Sequence, residues 1–342
     1  MREIMLGNTG IVVPQNAFGA LPIQRVSEGE AVALLHRAFE GGMRFFDTAR
    51  SYSDSEQKMG AAFGGMWEQL YVATKTQATT PDAFWKDLET SLSLLKTERV
   101  DLYQFHNVTQ VFKPGDGTGM YECMLQAREQ GKIGHIGITT HSIDRAYEAV
   151  ECGLYETLQY PFSYLSSPRE LELARLCEER GMGFIAMKGL AGGMLSNARV
   201  CHAFMKQYDN VVPIWGIQHM EQLQEWLALA DEDPSLDEAM RAVIEQDRKE
   251  LARSFCRSCG YCMPCTVGIE ISNCARMDML LRRSPYKRYL TPEWRAKMNK
   301  INDCIDCGRC KSRCPYELDT PNVLRYMLKD YNEFYEAHKN EL

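Results

Sequence analysis

The residues with the clearest chemical potential are cysteines, and most of them crowd into the C-terminal part of the chain. Nine of the 13 cysteines fall within residues 256–314. The run from 304 to 314 reads CIDCGRCKSRC and is followed by proline, so its four thiols are spaced by two, two and three residues. Closely spaced thiolates can each take one corner of an iron–sulfur cubane, so this spacing predicts a cluster site.

A second run, from 256 to 265, reads CRSCGYCMPC and separates its four thiols by two residues throughout. Thr266 follows this run where a proline follows the other, and Cys274 is a ninth thiol, so either Cys265 or Cys274 could be the spare. Zinc ribbons also use cysteine pairs, but they do not use triplets that end in Cys-Pro. Disulfides are a poor interpretation in a reducing compartment. The pattern therefore favours iron over zinc.

The two runs together resemble a bacterial-type ferredoxin module with two [4Fe–4S] clusters. In that module the fourth cysteine of each run ligates the other cluster. For one cluster the resemblance implies the ligands Cys256, Cys259, Cys262 and Cys314. For the other it implies Cys265, Cys304, Cys307 and Cys310. The isolated cysteines are interpreted as small core hydrophobes: Cys123, Cys152, Cys177 and Cys201.

A different chemistry is indicated nearer the N-terminus, where Asp47, Tyr52, Lys75 and His106 lie at or just beyond the predicted ends of strands. Free tyrosine has a pKa near 10, and a nearby ammonium stabilises the phenolate. We expect Asp47 to hold Lys75 charged, so that Tyr52 can act as a general acid. His106 would orient a carbonyl oxygen. Each residue alone has an ordinary structural interpretation, but four in consecutive units favour a proton-donating site.

The elements that must position these side chains form a repeating pattern. Eight apolar runs alternate, in most cases, with amphipathic helical stretches: 16–21, 44–49, 71–76, 101–106, 135–140, 156–162, 183–189 and 211–217. This predicts an α/β fold, a (β/α)8 barrel with its site at the carboxyl ends of the strands. An open doubly wound sheet is the alternative, but no GxGxxG follows the first strand. The opening MREIMLGNTGIVV predicts a hairpin that plugs the barrel floor.

Three segments follow from this pattern. Residues 1–232 are predicted to form the barrel. An acidic stretch, LADEDPSLDEAM, leads into a linker helix at 233–252. Residues 253–342 are predicted to form a smaller, mostly helical ferredoxin-like domain with a C-terminal helix.

Residues 41–60, GGMRFFDTARSYSDSEQKMG, resemble the signature of the aldo-keto reductase family, and VATK and LYQFH resemble its next two motifs. The resemblance covers roughly residues 1–230. It implies a (β/α)8 barrel that uses NAD(P)H to reduce an aldehyde or ketone, or to run the reverse reaction, with Tyr52 as proton donor. The combination with a C-terminal ferredoxin module resembles one branch of that family.

The same resemblance points to cofactor-binding residues in four segments, GITT, LQYPF, MKGLAGG and GIQHMEQLQEW. They are Thr139, Gln159, Met187, Leu190, Gly216, Gln222 and Glu225. Met187 stands where many members stack an aromatic ring on nicotinamide. The Lys or Arg that often binds the 2′-phosphate of NADP(H) in this family is missing, and Gln218 and His219 lie nearby in the sequence instead. Because a basic fork binds phosphate strongly, the choice between NADP(H) and NAD(H) stays open.

Charge limits the partners. The net charge of −7, from 39 Lys and Arg against 46 Asp and Glu, argues against nucleic acid or an anionic membrane surface. No apolar run has the length of a membrane span, and MREIMLGNTG lacks a signal peptide's apolar core, so a cytoplasmic protein is expected. Residues 275–300 hold eight Lys and Arg against two acidic residues. These cations could lie on a solvated helix face or offset the negative charge of the clusters. Alternatively, they could form a docking patch for an acidic electron carrier such as ferredoxin or flavodoxin.

Two functions remain open. One is an oxidoreductase acting on a carbonyl or alcohol, coupled to an electron-transfer domain. The other is a non-catalytic redox sensor or electron-transfer protein on a reductase scaffold.

Overall fold

The computed structural model describes residues 2–251, 255–257, 260–283, 286–314 and 316–341, with the backbone alone for Arg283. The chain divides into two compact units. The first comprises Met1–Gly189 and Asn197–Ala242, and the second comprises Leu190–Ser196 and Val243–Leu342. The domain limits predicted at 232 and 252 stay predictions. The division between the compact units falls at 242, and a short segment at 190–196 joins the second unit.

The first unit contains the predicted barrel, which is confirmed. Eight parallel strands close in the order of the chain, with the last strand paired to the first. They are β3 (Ala17–Gly19), β4 (Phe45–Asp47), β5 (Tyr71–Thr76), β6 (Val100–Phe105), β7 (Ile133–Thr139), β8 (Thr157–Pro161), β9 (Gly183–Met187) and β10 (Val211–Gly216). The helices of this unit are α1 (Glu28–Glu40), α2 (Ser55–Phe63), α3 (Pro81–Leu95), α4 (Met120–Glu129), α5 (Ile143–Cys152), α6 (Pro168–Glu179), α7 (Ala198–Met205) and α8 (Met220–Glu232).

Local sequence explains where these helices begin and which face they bury. Ser27 and Glu30 form a reciprocal capping box at the start of α1, and Ser167 and Glu170 do the same at α6. The buried residues of α1 recur at helical spacing: Ala31, Leu34, Leu35 and Ala38. Capping fixes the register of each helix, and its apolar stripe fixes the face that covers the strands.

The opening residues form the predicted hairpin, with β1 (Glu3–Met5) antiparallel to β2 (Val12–Pro14). Its buried side chains pack in one apolar cluster with residues from the first three positions of five barrel strands: Phe45, Ala73, Leu102, Ile185 and Val212. The backbone N–H of Asn8 also donates to the carbonyl of Gly181, just before β9. The hairpin therefore closes the amino-terminal end of the barrel and leaves the carboxyl ends of the strands for chemistry.

The second unit is helical, as predicted; among its described residues there is no strand. Helix α9 (Glu238–Leu251) leads into it and is followed by α10 (Ile271–Cys274), α11 (Met277–Arg283), α12 (Pro292–Asn299), α13 (Arg309–Ser312) and α14 (Thr320–His338). Its core includes Ile271, Met277, Met298, Leu324 and Tyr331. Within the described parts of the chain, no helix is long and apolar enough to cross a membrane.

Candidate functional site

The four side chains predicted to be catalytic lie around the carboxyl ends of neighbouring barrel strands. Asp47 ends β4, Lys75 is next to last in β5, and His106 directly follows β6. Tyr52 lies in the loop between β4 and α2. Because β4, β5 and β6 pair side by side in parallel, their carboxyl ends share one rim of the barrel.

Asp47 and Lys75 form a buried ion pair. Lys75 Nζ donates to Asp47 Oδ2 at 2.7 Å and to the carbonyl oxygen of Thr48 at 2.6 Å. The two charged side chains are only 2% and 1% exposed. Burial raises the pKa of Asp47 and lowers the pKa of Lys75, because each charged form loses water, and the opposite charge of the partner offsets part of each change. The pair thus places a desolvated ammonium at the rim of the barrel.

The aromatic ring of Tyr52 contacts both the ammonium and the imidazole. Lys75 Nζ lies 5.1 Å from the centroid of the Tyr52 ring. The ring of His106 meets it edge-on, with centroids 5.6 Å apart and planes at 81°. Tyr52 and His106 are both partly exposed, whereas the ion pair beneath them is not. A small molecule at this rim could therefore reach the phenol and the imidazole.

His106 is positioned as a neutral hydrogen-bond donor. Enclosure of the imidazole by protein, together with the nearby charge of Lys75, lowers the pKa of His106 to about 3. A neutral imidazole has one donor and one acceptor nitrogen. Ser51 Oγ lies 3.3 Å from Nδ1, and when this hydroxyl donates to Nδ1, the proton resides on Nε2. Nε2 can then donate to a carbonyl oxygen.

The loop that carries Tyr52 is fastened to β5 on either side of the tyrosine. The backbone N–H of Arg50 donates to the carbonyl of Lys75 at 3.0 Å. Glu56, which is 1% exposed, accepts from Thr74 Oγ1 at 2.6 Å and pairs with the guanidinium of Arg50. These contacts restrict the freedom of the loop at the point where the phenol must be placed.

Gln104 is a member of this site that the sequence prediction missed. It is fully buried on β6, and its Nε2 donates to Gln159 Oε1 at 2.9 Å. Gln159 Nε2 in turn lies 3.5 Å from Asp47 Oδ2. A signal was available, because Gln104 precedes His106 by two residues, shares its face of the strand and interrupts an otherwise apolar run.

The predicted nicotinamide-binding residues fall on different parts of the chain. Thr139 and Gln159 are buried partners in register on β7 and β8. Thr139 Oγ1 accepts from the backbone N–H of Asn107 at 2.7 Å. Met187 ends β9 and is partly exposed, whereas Leu190 belongs to the second compact unit. The structure therefore brings Thr139 and Gln159 together.

The predicted phosphate-binding residues follow the last strand. Gly216 ends β10 and is exposed, and Gln222 and Glu225 are exposed on α8. Gln222 Oε1 accepts from the backbone N–H groups of Gln218 at 2.9 Å and His219 at 3.1 Å. Two amides that precede this helix are thus occupied by the chain itself, and residues 216–225 contain no Lys or Arg.

Two cavities in the second unit are lined by the clustered cysteines. One cavity includes three of the predicted ligands of one cluster: Cys256, Cys262 and Cys314. The other includes all four predicted ligands of the second cluster: Cys265, Cys304, Cys307 and Cys310. Cys262 also borders this second cavity, and Cys259 lies outside the described residues. Thiol sets of this composition fit [4Fe–4S] clusters, which take four cysteines each.

The thiols that line the two cavities are spread around them rather than gathered into one group. Within the described ranges, no three His, Cys, Asp or Glu side chains form a group that could hold one metal ion. A cubane differs from one ion because each of its four irons takes a separate thiolate, so its ligands stand farther apart.

The two cavities differ in exposure. Cys256 and Cys262 are 8% and 9% exposed, whereas Cys307 is exposed. Hydrogen bonds from the backbone N–H of Arg309 and from the Thr266 hydroxyl, 3.7 Å away, lower the pKa of Cys307. We call the site at Cys256, Cys262 and Cys314 the enclosed site. The site at Cys265, Cys304, Cys307 and Cys310 is the open site.

Cys274, the ninth thiol, lies apart from both cavity linings. It is fully buried in the apolar core, and its Sγ approaches the carbonyl oxygen of Lys297 at 3.8 Å. Burial, reinforced by the charge of Glu270, raises the pKa of Cys274 to about 12. A thiol that resists ionisation is a poor metal ligand, so these observations favour Cys265 as the ligand.

The cations of residues 275–300 are largely engaged by other side chains. Arg282 forms a two-pronged pair with Asp330, with N···O distances of 2.7 and 2.8 Å. Lys297 pairs with Glu270 and Glu293, and Lys300 pairs with Asp303. Other members contact α14, the C-terminal residues or a tyrosine: Lys287, Arg288 and Arg295. Pairing reduces the positive field of this stretch below what its composition indicates.

Comparison with known proteins identifies both parts of the chain. A family model described as "Aldo/keto reductase family" matches residues 15–203, and one described as "4Fe-4S dicluster domain" matches residues 255–319. An uncharacterized oxidoreductase of Bacillus subtilis (strain 168) is 27% identical over 226 residues, which are 57% of this chain and 68% of that protein. L-galactose dehydrogenase of Arabidopsis thaliana is 27% identical over 56% of this chain and 66% of its own length. The chain therefore spans about two thirds of the length of these relatives.

Solved structures give the same fold. An aldo-keto reductase from Bacillus halodurans in its holo form has a TM-score of 0.64 at 21% identity, covering 72% of this chain and 96% of that one. An aldo-keto reductase from Klebsiella pneumoniae in complex with NADPH has a TM-score of 0.62 at 19% identity, covering 72% and 95%. With its matched barrel and its C-terminal 4Fe-4S dicluster domain, the chain belongs to the aldo/keto reductase family and has the fold of an oxidoreductase.

Proposed function

We propose that the barrel reduces a small aldehyde or ketone with NAD(P)H, or oxidises the corresponding alcohol. The observation that carries this proposal is the buried pair of Lys75 and Asp47 beneath the rings of Tyr52 and His106. When bound, NAD(P)H would supply the hydride. The protein must then deliver a proton to the carbonyl oxygen, and this group of side chains is suited to that task.

Each of the four side chains has a distinct part. The Tyr52 hydroxyl donates the proton, because its phenolate is stabilised by the ammonium of Lys75. Asp47 holds that ammonium at the rim and balances its charge. The neutral imidazole of His106 donates from Nε2 to the carbonyl oxygen and orients it toward the phenol.

The class of cofactor that we propose is a nicotinamide dinucleotide. The NADPH complex of the Klebsiella pneumoniae structure supports a nicotinamide dinucleotide. Thr139 and Gln159 would contact its carboxamide, and Met187 would lie along the nicotinamide. The phosphates would meet Gly216 and Gln222, and Glu225, whose carboxylate repels phosphate, would face the adenosine. Because residues 216–225 offer no Lys or Arg, we expect weak discrimination between NADP(H) and NAD(H).

The second unit would hold two [4Fe–4S] clusters in the crossed arrangement, with Cys259 completing the enclosed site. When bound, these groups would supply one-electron transfer. The lining of the open site includes the exposed Cys307 and Ile305, which is 62% exposed. An exposed apolar side chain beside an exposed ligand suits contact with a one-electron carrier, and Arg309 and Arg313, both exposed, favour an acidic one. We expect the protein to work in a reducing cytoplasm.

A redox sensor is the second candidate. The observation that favours it is the engagement of Gln222 with the amides of Gln218 and His219, which a dinucleotide phosphate would otherwise meet. A sensor would hold its clusters without turning over nicotinamide, so turnover distinguishes the two functions.

The test is nicotinamide oxidation by anaerobically purified protein with a panel of small aldehydes and ketones. Lys75→Met should lower kcat/KM by about 10²–10⁴-fold, the range for lost acid–base assistance. The matched control is Lys86→Met, which removes an exposed lysine from α3 and should leave the rate unchanged. Absence of turnover in the wild-type protein across the panel and both nicotinamides would favour the sensor.

A further inference from the structure

Arg276 is a buried cation whose counter-charge is not a carboxylate. It is only 9% exposed, and its chain neighbours Ala275 and Met277 belong to the core of the second unit. Its guanidinium donates from Nε to the carbonyl of Ser272 at 3.0 Å and from a terminal nitrogen to the carbonyl of Gly192. Among the described residues, no Asp or Glu pairs with it. One of its two acceptors, Gly192, lies close to the backbone of Arg257, the residue that follows Cys256.

A buried charge without a partner is costly, so buried arginines are normally matched by an anion. Two carbonyl dipoles satisfy some of the N–H groups of Arg276 but leave its net charge unbalanced. Cys256 belongs to the enclosed site, where thiols become thiolates when they bind iron. The anion that matches Arg276 is therefore the cluster that this site would hold.

Arg276 also holds a segment that is distant in sequence. Gly192 lies in the stretch 190–196, which follows β9 of the barrel and packs in the second unit. Gly192 has a φ of +71°, and a Cβ there would lie 3.0 Å from the carbonyl oxygen of Arg257. The left-handed conformation favours glycine, and the close approach leaves little room for a side chain. The segment is thus held by Arg276 and lies close to Arg257, which belongs to the first cysteine run.

We propose that Arg276 is the counter-cation of the enclosed cluster and fastens segment 190–196 beside it. The inference rests on the proposed presence of the clusters. One-electron reduction makes a cluster one unit more negative, and a nearby fixed positive charge favours that change. Arg276 therefore raises the reduction potential of the enclosed cluster. It is a positioning residue for the segment between β9 and α7.

The experiment uses whole anaerobic protein with its iron bound, titrated with dithionite and followed by electron paramagnetic resonance. In Arg276→Gln, one of two midpoint potentials should move to a more negative value while the other stays. Hydrogen exchange of peptides spanning 190–196 should rise several-fold. Arg276→Lys should bring the midpoint back toward the wild-type value, because it keeps the charge. Hydrogen exchange of segment 190–196 in Arg276→Lys should stay raised, because a lysine ammonium cannot reach both carbonyl oxygens that the guanidinium contacts. Arg282→Gln, which removes a surface arginine paired with Asp330, should change neither.

Wild-type midpoints in an iron-loaded Arg276→Gln protein would overturn the counter-cation role, and unchanged exchange would overturn the link to segment 190–196. If Arg276→Gln loses iron, Arg276→Lys decides whether charge is the cause. Full iron and a near wild-type midpoint potential in Arg276→Lys support the role of charge, and the same loss of iron in Arg276→Lys contradicts it. Wild-type protein without iron would instead refute the clusters themselves.

Discussion

The two units treat buried charge differently. In the barrel, Lys75 is buried against Asp47 at 2.7 Å, so cation and anion both come from the chain. In the second unit, Arg276 is buried with two carbonyl oxygens as acceptors and, among the described residues, no carboxylate partner. The barrel site is electrostatically complete as protein. The second unit has an excess of buried positive charge beside thiols, which suits an anionic cluster.

This difference indicates how the two units depend on what they bind. A barrel that balances its own charges should fold and keep its proton-donating group in place without nicotinamide. A unit whose buried cation is matched by a cluster should lose stability when the cluster is removed.

The largest effect is expected at the fourth ligand of the open site. Anaerobic wild-type protein should carry about eight irons, four in each cubane. Cys265→Ser should lose about half of them, because Cys265 lines the open site. Cys274→Ser is the matched control and should keep full iron, because this thiol is buried in the core away from both cavity linings. Iron and sulfide analysis measures both, and the reverse pattern would exchange the two assignments.

A moderate effect of pH is expected from His106. The folded-state pKa of about 3 lies well below that of an unfolded histidine, near 6.5. The unfolded chain therefore takes up a proton as pH falls through 6.5, while the folded His106 stays neutral, and stability is lost on the acid side. The difference in Tm between wild-type protein and His106→Gln should shift against the wild type between pH 7 and pH 5. A pH-independent difference would show that His106 titrates normally in the fold.

A smaller effect is expected from surface charge. Electron exchange with an acidic ferredoxin or flavodoxin should slow as salt rises, since the Debye length falls from about 30 Å at 0.01 M to about 10 Å at 0.1 M. Reversing the exposed Arg309, whose backbone N–H bonds to Cys307, and the exposed Arg313 to Glu should slow exchange several-fold. Reversing Arg282, whose charge is already balanced by Asp330, should do less. Stopped-flow rates that change neither with salt concentration nor with the charge reversal of Arg309 would contradict docking at the open site.

Sequence patterns predicted the barrel because each strand is a local apolar run, and the residues flanking those runs reveal which side chains reach the rim. Asp47, Lys75 and His106 could be found in this way. Gln104 could not be weighted correctly, because its importance comes from a contact with Gln159, which lies 55 residues away. The pairing of cations in the 275–300 stretch had no sequence signal for the same reason, since Asp330 approaches Arg282 only in the folded chain.

The association of residues 190–196 with the second unit also had no sequence signal. MKGLAGG reads as an ordinary loop after a barrel strand, and its contact with Arg276 spans 84 residues. A buried arginine cannot be told from a surface one by its neighbours in sequence, because α11 and the flanking loops carry several cations. Only packing distinguishes Arg276, buried in the core, from Arg282, exposed and paired with Asp330.

The claim that the proton-donating group of the barrel is independent of iron binding in the second unit is tested most directly by Tyr52→Phe. Carbonyl reduction and iron content are both measured on the same anaerobic preparation. The variant removes the proposed proton donor and keeps the ring that contacts Lys75 and His106. Tyr147→Phe, which removes a hydroxyl from α5, bonded to the carbonyl of Arg169, is the control. We expect Tyr52→Phe to lose at least about 10²-fold in nicotinamide-dependent carbonyl reduction, with full iron content and unchanged nicotinamide binding. Near wild-type turnover in Tyr52→Phe would contradict the account.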